Sequence, residues 1–123
     1  MADLTVGSVI TRLDALLPNQ YTAEEKRRWL REAEGFVLQE IRQPLEGTAV
    51  PPLPDPFTDT VVLSAAPPWD RMYLSYLEKC IHTANGELER ANNAAAEWNS
   101  AFLSYHDAVL RSHRRGAAAL KLM

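Results

Sequence analysis

Residues 85–105 read NGELERANNAAAEWNSAFLSY. The apolar residues keep helical spacing, although Asn85-Gly86 and Asn92-Asn93 are both pairs that normally punctuate helices. Extended in both directions, the run becomes Leu74, Leu77, Ile81, Ala84, Leu88, Ala91, Ala95, Trp98, Phe102, Tyr105 and Val109, in alternating steps of three and four. That is a heptad seam, the pattern of a helix that packs along one face. One unbroken helix from Pro68 to about Arg114 would be roughly 70 Å long at 1.5 Å per residue, whereas a compact chain of this size has a radius of gyration of about 14 Å. A single straight rod is therefore incompatible with a compact domain. Gly and Asn accept the left-handed backbone that ends helices, so the seam predicts an antiparallel hairpin with its break between residues 85 and 93. The pattern also admits a protruding helix whose seam is covered by neighbouring subunits.

The remainder of the chain supplies the partners for such a hairpin. Its 123 residues are 46% hydrophobic and 24% charged, with a formal net charge of -3. This suits one globular domain with a modest core and argues against a general nucleic-acid coat. Val6, Val9, Ile10, Leu13, Leu16 and Leu17 predict a short amphipathic helix ended by Pro18-Asn19. Thr22 is the expected N-cap of a second helix, with Glu25 closing a capping box. Its apolar stripe is Trp29, Leu30, Ala33, Phe36, Val37 and Ile41, with Lys26, Arg27, Arg28, Arg31 and Glu32 mostly toward solvent. Pro44 is expected to close that helix. Seven of the eight prolines fall between Pro44 and Pro68, which makes this segment a long connection. Within it TVVLS (60–64) is the one candidate strand, pairing as a short β-hairpin with residues nearer Phe57. The expected architecture is an all-α bundle of about four helices. Its single domain spans residues 1–115, with a proline-rich loop over 44–67 and a flexible tail over 116–123.

Chemistry is sparse. No glycine-rich phosphate loop, nucleophile elbow, H-E-x-x-H or calcium loop occurs, so no enzyme activity, cofactor or metal is expected. His106 and His113, with Asp107 nearby, share a helix face two turns apart, a spacing that reaches one ion poorly; a surface pair is the simpler reading. Glu24, Glu25, Glu32, Glu34, Glu87 and Glu89 read as solvated helix faces, some of them favouring helix N-termini. Cys80, the only cysteine, excludes an intramolecular disulfide and sits beside the seam as a small hydrophobe. The N-terminus lacks a signal-peptide pattern and no window suits a membrane span, so synthesis in the cytosol is expected.

Trp29 and Trp98 lie on apolar stripes and read as core. Trp69, after Pro67-Pro68 at a helix start, is read two ways, as packing over the end of the bundle or as an aromatic anchor for a partner. At the C-terminus Arg111, Arg114 and Arg115 complement the negative end of a helix. Beyond them Leu120, Leu122 and Met123 could enter a groove on a partner. Direct DNA binding by this basic cluster, as a small helical regulatory or interaction module, is the alternative reading.

Two stretches carry a family resemblance. LPNQYTAEEKRRWLREAEGFVLQEI matches a PN-x-[YF] turn followed by K-x-x-W-L-x-E-x-E-G, through Asn19, Tyr21, Lys26, Trp29, Leu30, Glu32, Glu34 and Gly35. LSAAPPWDRMYLSYLEKCIHTANGELERANNAAAEWNSAFLSYHDAVLR matches a proline-aromatic-Asp start and tyrosine-rich helix through Pro68, Trp69, Asp70, Tyr73, Tyr76 and Leu77. It goes on to match NGE-x-x-R-x-NN through Asn85, Gly86, Glu87, Arg90, Asn92 and Asn93, and then Trp98, Asn99, Ala101 and Phe102. With these residues the chain resembles the small head-tail connector (adaptor) proteins of tailed bacteriophages, particularly long-tailed phages of gut bacteria. Ala91 stands where a tyrosine is commoner, and the segment after Arg115 is outside the pattern. The resemblance implies a non-catalytic helical adaptor at the head-tail interface of the virion, forming a ring, usually twelvefold, beneath the portal protein. It would join the portal to other neck or tail-completion proteins, with genome DNA passing through the ring, without sequence-specific binding and without a membrane. Trp69, Asp70, Tyr73, Arg111, Arg114, Arg115, Leu120 and Leu122 are then the candidate ring or partner contacts.

Overall fold

The computed structural model describes residues 4–47 and 50–122, with side chains described as far as Arg114. It is a small all-α bundle. Helix α1 (Val6–Leu16) begins with a reciprocal capping box, Ser8 N donating to Thr5 Oγ1 at 3.2 Å and Thr5 N to Ser8 Oγ at 3.1 Å. Two further first-turn donors are satisfied by the proline-rich connection, Val6 N by Val61 O at 3.0 Å and Gly7 N by Asp59 O at 2.9 Å. A Cβ on Gly7 would sit 3.0 Å from that of Asp59, so glycine is what permits the approach. The expected β-hairpin is replaced by this arrangement. Among the described residues there is one isolated antiparallel bridge, Thr5 to Val62, and no strand. TVVLS pairs with the entry to α1 instead of with its own neighbours, because α1 offers it unsatisfied N–H groups.

Helix α2 (Ala23–Phe36) starts on Thr22, whose side chain accepts from Glu25 N at 3.1 Å. Pro44 does not close it. The backbone widens into a π-helical segment, Val37–Arg42, then continues as the single turn α3 (Gln43–Glu46) and ends at Gly47, φ +61°. Gln43 N–H bonds to Leu38 O, five residues back. This wider turn directly before Pro44 accommodates a ring that would collide with the preceding turn of a regular helix.

Helices α4 (Asp70–Ala84) and α5 (Leu88–Leu122) form the hairpin read from the seam. The break is at Asn85-Gly86: Gly86 N bonds to Thr83 O at 3.1 Å, Glu87 N to His82 O at 2.9 Å, and Gly86 adopts φ +77°. Asn92 and Asn93 remain helical. Ala84 and Leu88, nominal seam residues, lie exposed at the tip, whereas Leu77, Ile81, Ala91 and Trp98 are buried on the arms. Residues Met72–Leu77 of α4 are buried without a break, and α1, α2 and α5 all pack against this helix. α5 has 35 residues against 15 in α4 and so extends well past its partner, along the π-helical segment and α3. A separate tail was expected after Arg115, but the backbone of α5 continues through Gly116 to Leu122.

Two side chains expected toward solvent are core. Lys26 is 5% exposed, its Nζ 2.7 Å from Asp14 Oδ1, tying α2 to α1. Glu34 is 2% exposed. Conversely Phe36 and Leu16, expected on apolar faces, are 45% and 52% exposed.

Two outcomes follow for stability. Gly86→Ala forces a Cβ into the left-handed region and lowers stability by about 1 kcal/mol, read as a lower urea midpoint with unchanged helical circular dichroism. For Asp14, burial pushes the carboxyl pKa up, but hydrogen bonds from Lys26 and Asn19 outweigh it and hold the group below its ordinary value. A depressed folded-state pKa stabilises the fold above the unfolded-state value, and that contribution is lost as pH falls through the folded value. The advantage of wild type over Asp14→Asn is therefore complete at neutral pH and disappears in acid, as urea titrations at a series of pH values would measure.

Candidate interaction surfaces

Where α2, α4 and the proline-rich connection meet, Glu34 gathers three donors. Tyr73 Oη donates to Glu34 Oε1 at 2.7 Å, while Ser64 N and Ser64 Oγ donate to Oε2 at 2.8 and 2.7 Å. Ala65 N in turn donates to Tyr73 Oη at 3.2 Å. Burial raises the Glu34 pKa despite these bonds, and burial followed by the adjacent Glu34 charge raises that of Tyr73 well above the ordinary phenol value. Tyr73 is thus committed to the core and unavailable to a partner, which corrects its expected place at an interface. Trp69, the N-cap of α4, lies edge-on to Tyr105 with ring centroids 5.4 Å apart. It is half-buried over the open end of the hairpin, and Asp70 follows it half-buried in the first turn.

The two stretches that carry the family resemblance touch each other. Asn19 Oδ1 accepts from Tyr21 N at 3.2 Å, and Tyr21 packs edge-on against Trp29 with centroids 5.3 Å apart and donates through its hydroxyl to Asn85 Oδ1. Glu87 completes the junction, its carboxylate meeting His82 Nδ1 and Asn85 Nδ2, each at 3.0 Å, and Arg90 Nη1 at 3.3 Å. Asn85, Gly86 and Arg90 therefore build the α4–α5 turn. Trp98 is buried against Tyr76 at 4.9 Å, and Asn92, Asn93 and Asn99 lie on the exposed face of α5.

Arg111 and Arg114 are exposed on the part of α5 beyond the hairpin. The side chains of Arg115, Leu120 and Leu122 lie outside the described residues. His106 and His113 do not converge, since His106 faces Asp107 at 3.3 Å and His113 faces Glu46 at 3.5 Å, where Arg42 also bonds at 2.7 Å. Among the described residues no group of three or more His, Cys, Asp or Glu is placed to hold a metal, and no helix is long and apolar enough to cross a membrane.

Hollows open on the sides of the bundle, two of them larger than a third of about 200 Å³ beside Arg27, Arg28, Arg31 and Phe57. One, of about 490 Å³, lies between the π-helical segment and the connection, lined by Leu38, Gln39, Gln43, Val50, Pro51 and Leu53. The other, of about 360 Å³, lies between α2 and α4 and brings together Trp29, Glu32, Tyr76, Lys79 and Cys80. There Tyr76 Oη donates to Glu32 Oε1 at 3.0 Å, and Lys79 Nζ stands 4.1 Å from the Tyr76 ring centroid. Burial pushes the Cys80 thiol up to about 11, and its neighbour Lys79 only partly opposes this, so the group is a protonated, weakly reactive part of the wall. Sequence reading treated these residues one by one. The signal it passed over is that Trp29 and Glu32 are spaced to share a helix face, as are Tyr76, Lys79 and Cys80.

No family model, no curated protein and no solved structure matches this chain.

Replacing Tyr73 by Phe leaves Ala65 N–H and one Glu34 oxygen without their partner in the core. The expected loss is about 1–3 kcal/mol, seen as a lower urea midpoint. Removal of Tyr76 Oη, whose acceptor Glu32 is exposed to water, should cost less.

Proposed function

We propose that this chain is a structural adaptor at the head-tail junction of a tailed bacteriophage. It would assemble as a ring beneath the portal and join it to the tail machinery, with no catalytic role. The virion is then its destination, and its partners are the portal, neck or tail-completion proteins and further copies of itself. The reading rests on the residues that resemble the connector family, and one structural observation supports it most: α5 is more than twice the length of α4. Past the end of α4 this helix packs along the π-helical segment and α3 as far as His113, and its backbone runs on to Leu122, which gives the packed body a terminal extension. A ring subunit requires this combination, because it must hold its shape, meet copies of itself through unlike faces and reach a different protein. The resemblance itself supplies the twelvefold expectation.

Co-sedimentation with the portal ring of the same phage, followed by electron microscopy of the pellet, tests the reading. The expected result is an added symmetric layer on the portal. No binding at saturating protein would overturn it and direct attention to duplex DNA, where steeply salt-dependent binding would identify Arg111 and Arg114 as phosphate contacts.

A further inference from the structure

We propose that Asn85, in the α4–α5 turn, is a site of spontaneous deamidation gated by the hydroxyl of Tyr21. Asn85-Gly86 is the only Asn-Gly pair in the chain, and both residues are exposed at the tip of the hairpin. Glycine in second place is what favours the reaction, because it has no Cβ to obstruct the approach of its own nitrogen and leaves the backbone free to turn. The reactants are the chain and water. Gly86 N forms a bond to Asn85 Cγ as it loses its proton, the bond from Cγ to Nδ2 breaks, and Nδ2 takes up that proton and leaves as ammonia. Water then opens the five-membered imide. Cleavage of the bond from Cγ to Gly86 N restores the main chain with aspartate at position 85, whereas cleavage at the main-chain carbonyl leaves isoaspartate, whose backbone runs through the former side chain.

In the folded chain every group the reaction needs is engaged elsewhere. Gly86 N, the nucleophile, donates to Thr83 O at 3.1 Å. Asn85 Oδ1 accepts from Tyr21 Oη and, at 3.4 Å, from Gln20 Nε2, while Nδ2 donates to Glu87 Oε1 at 3.0 Å. Glu87, with its further partners His82 and Arg90, is local to the turn and moves with it. Tyr21 is not local. It comes from the segment between α1 and α2, 64 positions away, and is anchored edge-on to Trp29 with centroids 5.3 Å apart. Its hydroxyl therefore ties the Asn85 side chain to the body of the molecule, and release of that bond lets the side chain turn back on its own main chain when the exposed tip opens. The product opposes the fold. A carboxylate in place of the Nδ2 donor meets the Glu87 carboxylate, a like charge, and does so at the C-cap of α4, the negative end of that helix. Deamidation thus loosens the junction between the 19–29 and 85–90 segments, and because it is irreversible it accumulates with the time the turn has spent open. The site needs no partner and stands whether or not the chain is an adaptor.

Peptide mapping of the intact chain after ageing in mildly alkaline buffer tests this. Trypsin releases residues 80–90, in which Asn85 is the only amide side chain, so conversion is read by mass and the two products are separated by chromatography. The expected result is ready conversion in urea-unfolded protein, conversion several-fold slower in the native protein, and native Tyr21→Phe several-fold faster than native wild type. Tyr21→Phe keeps the ring against Trp29, and unchanged helical circular dichroism checks that it is folded. Tyr76→Phe, which deletes a hydroxyl bonded to Glu32 and not to the turn, controls for a general loss of stability and should age like wild type. No conversion even in urea, or conversion as fast in the native protein as in urea, would overturn the guarded site. Tyr21→Phe no faster than wild type, or matched by Tyr76→Phe, would overturn the gate. Asn85→Asp should lower the urea midpoint at neutral pH, and an unchanged midpoint would overturn the effect on the junction.

Discussion

Helix α4 cannot exist without everything around it. Met72–Leu77 are buried in unbroken succession, so over these six residues the helix has no solvent face and needs neighbours on every side. Its polar side chains identify those neighbours. Tyr73 bonds to Glu34 of α2 and accepts from the proline-rich connection, Ser75 Oγ lies 3.3 Å from Glu97 of α5, and Tyr76 bonds to Glu32 of α2. Each hydroxyl placed in a low-dielectric core requires a partner at a fixed position. The apolar surface of α4 drives collapse, and these three hydroxyls select which collapsed arrangement is the native one.

The proline-rich connection is explained by the same constraint. The six prolines from Pro51 to Pro68 disfavour regular structure there, yet the segment does not wander. Leu63 and Ala65 are buried, Ser64 is held by Glu34, and the carbonyls of Asp59 and Val61 finish the N-terminus of α1. A stretch without its own hydrogen-bond ladder has satisfied its polar groups on the ends of its neighbours. It covers a side of α4 that two helices and a hairpin arm leave open.

Periodicity and punctuation made much of this legible in the sequence. The α4–α5 hairpin follows from a seam too long to be straight, with Asn85-Gly86 inside the expected break, and the end of α1 and the start of α2 follow from Pro18 and Thr22. Pairwise facts between distant segments were not legible. Nothing local distinguishes Glu34, which is core, from Glu32 two residues earlier, which is exposed; the difference is that Tyr73 and Ser64 arrive at one and not the other. Lys26 is buried for the same reason, because Asp14 is there to meet it. Pro44 reads as a stop because a proline ends a regular helix, whereas the widened turn before it relaxes that rule. The hollow between α2 and α4 was invisible because it is made by two helices that the sequence connects only through a long loop.

A net charge of -3 hides an uneven distribution. Along α2 and the π-helical segment, Arg28, Arg31, Glu32 and Glu40 are exposed with Phe36 among them, so both signs are mixed, whereas the far part of α5 exposes Arg111 and Arg114. No ion pair among the described residues joins these two sets, and at physiological salt, with a screening length near 8 Å, exposed charges further apart than this scarcely interact. Such a separation contributes nothing to the stability of the isolated fold. It acquires a value only when a second charged surface approaches.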